Sequence, residues 1–308
     1  MCDAFVDKRR PSQDFPKATR QAETKPQTPR THRIITLPTG AQTATLPQNV
    51  GHIRLSVLIR TYNEADRLGR TLDSVGALGA EVVIIDAGST DETVKIAEGY
   101  GARVVHNPWP GFGPQRHFGE DRCGNDHVFS LDADEVLTPK LVAEIRAVFA
   151  RADVPSLMTV RKAIVFPNHD KPTVWAFCHK QVLIYDRRIA RTAPNPNWDA
   201  LELSTSDKPH LIKAPLWHYT FRDWRHAVAK ANYVARLAAD TQKIRSRAYL
   251  RTRLVIEFPL TFFKFYLARR YFLGGTDGLT MAMVGAFGRY IRIAMMLERV
   301  KRDARKRV

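Results

Sequence analysis

From Leu55 onward, short apolar runs alternate with amphipathic stretches. Leu55-Ser-Val-Leu-Ile59, Val82-Val-Ile-Ile85, Arg103-Val-Val-His106 and Val128-Phe-Ser-Leu131 are rich in β-branched and aromatic residues and have polar flanks, so they read as short buried strands. Leu68, Leu72 and Val75, spaced by four and three, predict a helix that Asn63 can cap. Ser89 and Glu92 stand three apart, as in a capping box, and begin a second helix that runs to about Tyr100 and ends at Gly101. A third helix is expected from about Gln115 to Arg122. A fourth starts at Pro139, with Leu141, Val142, Ile145 and Val148 on one side. Strand–helix alternation of this kind predicts an α/β fold, a mostly parallel sheet with helices on both faces. The stretch from 155 to 220 is less regular, with strands expected over Ser156–Val165, Gln181–Tyr185 and Leu201–Ser204 and a closing segment Leu216-Trp-His-Tyr219.

The last part changes character. Trp224 to about Arg247 reads as a basic helix. Leu254–Leu273 and Leu279–Leu297 are apolar and aromatic but carry Glu257, Pro259, Lys264, Arg269, Arg270, Arg289 and Arg292. Charges placed this way disfavour a membrane span and favour helices lying in the interface, with Lys and Arg reaching to headgroups. Three segments are therefore expected: a disordered basic tail over 1–50, rich in Pro, Thr, Gln, Lys and Arg; a sheet domain over 51–222; and a basic, membrane-associated helical region over 223–308.

A formal charge of +17 on 308 residues points to nucleic acid, anionic lipid or a phosphorylated substrate as partner. No nucleic-acid-binding motif accompanies the charge, so no nucleic-acid partner is expected. Three scattered cysteines suggest a reducing compartment, and the N-terminus has no apolar signal core, so a cytoplasmic location is expected. Without a CxxC pair or HExxH, a zinc site has no support.

Candidate chemistry gathers where the expected strands end. Asp132 and Asp134 follow the fourth strand one residue apart. Strand residues at i and i+2 project to one side. Paired carboxylates there seat a hard divalent cation, Mg2+ or Mn2+, which in turn can hold the phosphates of a nucleotide. Arg60–Glu64 and Asp86 fall at the ends of two other strands, the edge at which such sheets bind ligands.

These residues resemble family 2 glycosyltransferases, which have the Rossmann-like GT-A fold. The resemblance is carried by Thr61-Tyr-Asn-Glu64, Asp86-Ala-Gly-Ser-Thr-Asp91, Pro108-Trp-Pro-Gly-Phe-Gly113 with Gln115-Arg116, and Leu131-Asp-Ala-Asp-Glu135. The Pro-Trp-Pro-Gly-Phe-Gly and Asp-Ala-Asp-Glu pair is similar to the branch of lipopolysaccharide core β-1,4-glucosyltransferases, and Leu216–Thr220 extends the likeness more faintly. The resemblance implies a UDP-sugar donor, glucose above others, and a lipid-linked glycan acceptor at the inner face of the cytoplasmic membrane. Thr61, Tyr62, Asn63, Glu64 and Asp86 would hold the nucleoside. Gln115 and Arg116 would serve the base or diphosphate, and Asp132 and Asp134 the metal and diphosphate. A transferase to polyprenyl phosphate, a non-catalytic nucleotide-sugar scaffold and, on charge alone, a nucleic-acid-binding protein are the alternatives. Two positions depart from the pattern: His117 stands where relatives often have Asn, and Asn197-Trp-Asp199 where the branch has Val-His-Glu.

A base must lie on the face of the sugar opposite the diphosphate, so it must come from the less regular half. Asp170, Asp186, Asp199 and Glu202 are the carboxylates considered there. Asp186, before Arg187 and Arg188, reads as a salt-bridged turn residue. Asp199, beside Trp198 and at the family's base position, is the first choice, with Glu202 second.

Overall fold

The computed structural model describes residues 51–243 and 245–305. The tail expected over 1–50 lies outside the described residues. The apolar runs become β1 (Ser56–Thr61), β2 (Glu81–Asp86), β3 (Arg103–His106) and β4 (His127–Asp132). All pair in parallel, in the order β3-β2-β1-β4. Alternate residues of β1 serve opposite faces. Val57 and Ile59 pack with Leu68, Leu72 and Val75 of α1 (Leu68–Gly76), with α2 (Thr93–Gly99), and with Leu141 and Ile145 of α4 (Pro139–Phe149). Leu58 packs on the other face, with Val83, Ile85 and Phe118 of α3 (Phe112–Glu120). Each of these buried aliphatic side chains contributes about 1.5–3 kcal/mol by leaving water. The sheet therefore carries helices on both faces, as the alternation predicted.

The second half of the sheet is mixed. β5 (Glu135–Leu137), β6 (Leu157–Ile164), β7 (Cys178–Asp186) and β10 (His210–His218) extend it in the order β4-β7-β6-β10-β5, and four of its seven neighbouring pairs are parallel. β8 (Ala190–Thr192) and β9 (Leu201–Leu203) form a separate hairpin. Pro139 starts α4 as expected, with the Thr138 hydroxyl accepting from Leu141 N at 3.1 Å.

Two expected caps are corrected. Asn63 does not cap α1, which begins at Leu68. Its side-chain oxygen instead accepts from Thr90 N at 2.8 Å. Ser89 does not cap α2, because its hydroxyl donates to Asp86 Oδ1 at 2.5 Å and the helix begins at Thr93. The Ser89 hydroxyl also accepts from Asn63 N at 2.9 Å, so in both cases a bond between the two loops took the place of the local cap.

The C-terminal helices are α5 (Trp224–Thr241), α6 (Arg247–Phe263) and α7 (Gly275–Arg305). A π turn (Lys264–Ala268) and a 3-10 turn (Tyr271–Gly274) join α6 to α7. Ala239, Leu250, Ile293 and Met296 form the core of this bundle. Phe166, Tyr271, Met281 and Ala282 join it to the sheet near the end of β6. Among the described residues, no helix is long and apolar enough to cross a membrane.

Candidate active site

Parallel strands β1, β2 and β4 end together, and their last residues supply the site. Thr61 is in register with Asp86, and Arg60 with Asp132. The loops that follow β1 and β2 are clasped. Asn63 N donates to Ser89 Oγ at 2.9 Å, Glu64 N to Thr93 Oγ1 at 2.8 Å, and Ala65 N to Asp91 Oδ2 at 3.2 Å. Asp86 is buried and accepts four bonds: from Thr61 Oγ1, from Ser89 Oγ, and from the backbone N–H groups of Gly88 and Ser89. Burial raises its carboxyl, but the Ser89 and Gly88 bonds outweigh it and hold the group below the usual range. Tyr62 between these loops is 58% exposed, which leaves its ring face open. Glu64 pairs with Arg67 at 2.5 Å and Arg222 at 2.9 Å. Burial nonetheless raises its carboxyl.

At the end of β4, two arginines and two carboxylates interlock. Arg60 lies 2.7 Å from Asp132 and 3.0 Å from Asp199, and Arg116 lies 3.2 and 3.1 Å from the same two. Both guanidiniums meet Asp132 at Oδ1 and Asp199 at Oδ2, so the other oxygen of each carboxylate makes no hydrogen bond among the described residues. Burial raises the Asp132 carboxyl, but Arg60 and Arg116 override it and hold it well below the usual range. The Nε atoms of Arg60 and Arg116 are buried and without hydrogen-bond partners among the described residues.

Asp134 belongs to a different set. The chain turns at Ala133-Asp134 before β5, so the two carboxylates do not sit in one pleat as the i, i+2 argument assumed. Asp134 is 3.4 Å from Arg67 Nη1, and its Oδ1 is 3.3 Å from His218 Nε2. At that distance the pair is an ion pair, and Oδ1 has no hydrogen-bond partner among the described residues. Burial works against the ionised forms of both groups, yet each stabilises the other: Asp134 is lowered and His218 raised. A buried, unbonded carboxylate oxygen beside an imidazole nitrogen is a donor pair that suits a divalent cation. Among the described residues no cluster of three or more His, Cys, Asp and Glu is gathered as a complete metal shell, so such a cation would take its remaining ligands from a nucleotide or water.

The loop before Asp199 is held by the Pro-Gly-Phe-Gly stretch. Phe112 N donates to Pro196 O and Gly113 N to Asn195 O, each at 3.0 Å. A Cβ on Gly111 would meet Pro196 Cα at 2.5 Å, and one on Gly113 would meet Asn195 O at 2.6 Å. Both glycines are therefore needed for the loop to lie against α3 and bring Asp199 to Asp132.

The other candidates fall elsewhere. Gln115 is buried and spends its amide on Asn107, accepting from Nδ2 at 2.6 Å and donating to the backbone O at 3.1 Å. His117 pairs with the Thr192 carbonyl at 2.9 Å. Glu202 is exposed on β9, opposite Arg191, and joins none of these clusters. Asp186 is salt-bridged as expected, with Arg188 at 2.6 Å, but it is the last residue of β7 rather than part of the turn. The Asp170 carbonyl accepts from Tyr219 Oη at 2.6 Å. Sequence reasoning placed Arg60 at this edge without giving it a role, and missed the site cations Arg67 and Arg222. It also missed His218, which stood in the Leu216–Thr220 motif and which β10 delivers by pairing antiparallel with β5, opposite Glu135.

The chain matches the model of the family described as "Glycosyl transferase family 2" over residues 56–199. It is 33% identical to an uncharacterised glycosyltransferase of Rickettsia felis over 254 residues, covering 80% of this chain and 90% of that one. It is 26% identical to a lipopolysaccharide core biosynthesis glycosyltransferase of Rhizobium meliloti, covering 82% of this chain and 96% of that one. A mannosyltransferase of Pyrobaculum calidifontis, solved with GDP-mannose and Mn2+, superposes with a TM-score of 0.43 at 15% identity, covering 80% of this chain and 90% of that one. With a relative above 30% identity aligned along most of both chains, and the family's motifs converging on one sheet edge, the chain belongs to glycosyltransferase family 2.

Proposed function

We propose that this glycosyltransferase moves a hexose, glucose first among them, from a UDP-sugar to a sugar of a lipid-linked glycan with inversion at the anomeric carbon. The reaction belongs to lipopolysaccharide core assembly at the inner face of the cytoplasmic membrane. The observation that carries the reading is the Arg60–Arg116–Asp132–Asp199 cluster. It joins two cations suited to a diphosphate with a carboxylate from the less regular half of the domain. The relative named for core biosynthesis supports the acceptor class.

The donor's diphosphate carries charge of the same sign as Asp132 and Asp199. On binding, it competes for Arg60 and Arg116 and so frees Asp199 to reach the face of the sugar opposite the diphosphate, where a base must act. The acceptor oxygen then attacks the anomeric carbon, its proton passes to the Asp199 carboxylate, and the bond to the diphosphate breaks. One displacement turns an α-linked donor into a β-linked product. Arg60 and Arg116 stabilise the charge that develops on the departing UDP. Asp134 and His218 would hold a divalent cation, which would supply further positive charge to the departing diphosphate. Tyr62 and the clasped loops that carry Asn63, Glu64 and Asp86 form the seat for the nucleoside.

A screen of nucleotide sugars by nucleotide release, followed by the anomeric configuration of the product by NMR, tests the reading. UDP-glucose turnover with a β-linked product is the expected result. Turnover of GDP-sugars alone, or an α-linked product, would replace it. Transfer to a polyprenyl phosphate in place of a sugar would move the acceptor class.

A further inference from the structure

A second set of cations lies away from the sheet edge. Between α6, the π turn and α7 is a cavity of about 420 Å³ lined by Arg253, Glu257, Leu260, Lys264, Arg269 and Arg289, among others. Glu257 is the only carboxylate among the lining residues and is fully buried. It pairs with Arg253, while Arg292 lies 3.7 Å and Arg289 3.9 Å away. One carboxylate thus faces several cations. The Nε atoms of Arg253 and Arg292 are buried without a hydrogen-bond partner among the described residues. Burial and the neighbouring Arg289 push the Arg292 guanidinium down from its usual range, as expected where positive charge exceeds what Glu257 can offset. Arg269 is held in place over the rings of Phe265, at 4.5 Å, and Phe177, at 4.9 Å.

The rim of the cavity is apolar and open. Leu260 lines it and is 56% exposed. Phe263 and Leu267, one and two turns further on, are 56% and 55% exposed. Arg270, which follows the π turn outside the cavity lining, has its guanidinium 5.9 Å from the ring centre of Trp175, a residue of the loop before β7 that is 74% exposed. A soluble anion has no use for such a rim. A phosphate attached to hydrocarbon uses both parts, because aromatic and aliphatic side chains flanked by Lys and Arg match the headgroup–acyl boundary of a bilayer.

We propose that this cavity binds the phosphate headgroup of an anionic lipid, with its acyl chains lying along Leu260, Phe263 and Leu267. The site gives the membrane attachment proposed above a defined anchor point, and it is independent of which donor or acceptor the sheet half takes.

Flotation of the full chain with phosphatidylcholine vesicles, with and without phosphatidylglycerol, tests it. Lys264→Gln with Arg289→Gln removes two charges from the cavity, and both side chains are exposed enough to change without disturbing the core. Lys140→Gln with Lys208→Gln removes two exposed charges from the sheet half. The first pair is expected to weaken binding to phosphatidylglycerol vesicles about 30-fold, at roughly one kcal/mol per charge. The second pair is expected to leave binding nearly unchanged, and UDP-sugar turnover should persist in both. Leu260→Ser with Phe263→Ser should weaken vesicle binding while leaving glycerol phosphate unable to compete. Equal losses from the two charge pairs would overturn the site in favour of diffuse attraction. Full displacement by glycerol phosphate, with the apolar variants unaffected, would make it a free-phosphate site and overturn the lipid. A wild-type chain that floats with neither vesicle would remove the anchor and the attachment together, without touching the transfer reaction.

Discussion

At Asp199, one oxygen is tied to two guanidiniums and the other is uncommitted among the described residues. Asp199→Asn keeps the volume and loses the proton acceptor, so transfer should fall by roughly 10²–10⁴-fold while UDP-sugar affinity holds. Transfer at the wild-type rate would take the base role away from Asp199. Asp134→Asn tests the cation. Its unbonded Oδ1 beside His218 predicts that Mn2+ binding, read by electron paramagnetic resonance, is lost while the unfolding temperature stays near the wild type. Unchanged Mn2+ binding would take both residues out of the metal site. Asp186 allows a pH test outside the site. Its bonds to Arg188 hold its carboxyl below the usual value. The folded form thus binds its proton less readily than the unfolded chain. This contribution is complete above the unfolded pKa and is lost as pH falls through the folded one. Asp186→Asn should therefore lower stability at neutral pH and flatten the acid side of the unfolding profile.

Among the elements, α3 decides where the loop before Asp199 lies. Gly113→Ala would press a methyl group onto the backbone of Ala193 and Asn195. The expected result is a loop shifted from Asp132 and a large loss of turnover, with the β1–β4 core still folded by circular dichroism. Glu120, at the other end of α3, is fully buried. It accepts from Tyr185 Oη at 2.6 Å, Thr192 Oγ1 at 2.5 Å and Arg191 Nε at 2.7 Å, which ties α3 to β7 and β8. Glu120→Ala leaves these groups unpaired and should cost about 3–5 kcal/mol by denaturant unfolding. The helix caps give a related lesson. Asn63 and Ser89 have the chemistry of caps, but each side-chain oxygen here accepts from a backbone N–H of the other's loop and so clasps the sheet edge instead.

For the whole molecule, a charge of +17 and the exposed apolar crest around the π turn predict attachment to anionic surfaces that weakens as salt rises. Screening acts over about 8 Å at physiological ionic strength. Equal partition onto neutral and anionic vesicles at every salt concentration would remove the electrostatic part. The same charge is distributed unevenly. In the sheet half, cations such as Arg60 and Arg116 are spent on Asp132 and Asp199, whereas around Glu257 they outnumber the carboxylate.

Much of this was legible in the chain itself. The four parallel strands, the helices on both faces and the convergence of Thr61, Asp86 and Asp132 on one edge follow from local periodicity and strand–helix alternation. Those are short-range properties that side-chain burial enforces. What was not legible depends on pairing between distant segments. Arg60 meets Asp132 because β1 and β4 share a register. His218 reaches Asp134 because β10 doubles back against β5. Asp199 joins the arginines because Gly111 and Gly113 leave room for a loop some eighty residues further on. No local pattern encodes such contacts, because strand register and loop packing are decided only when the whole core closes.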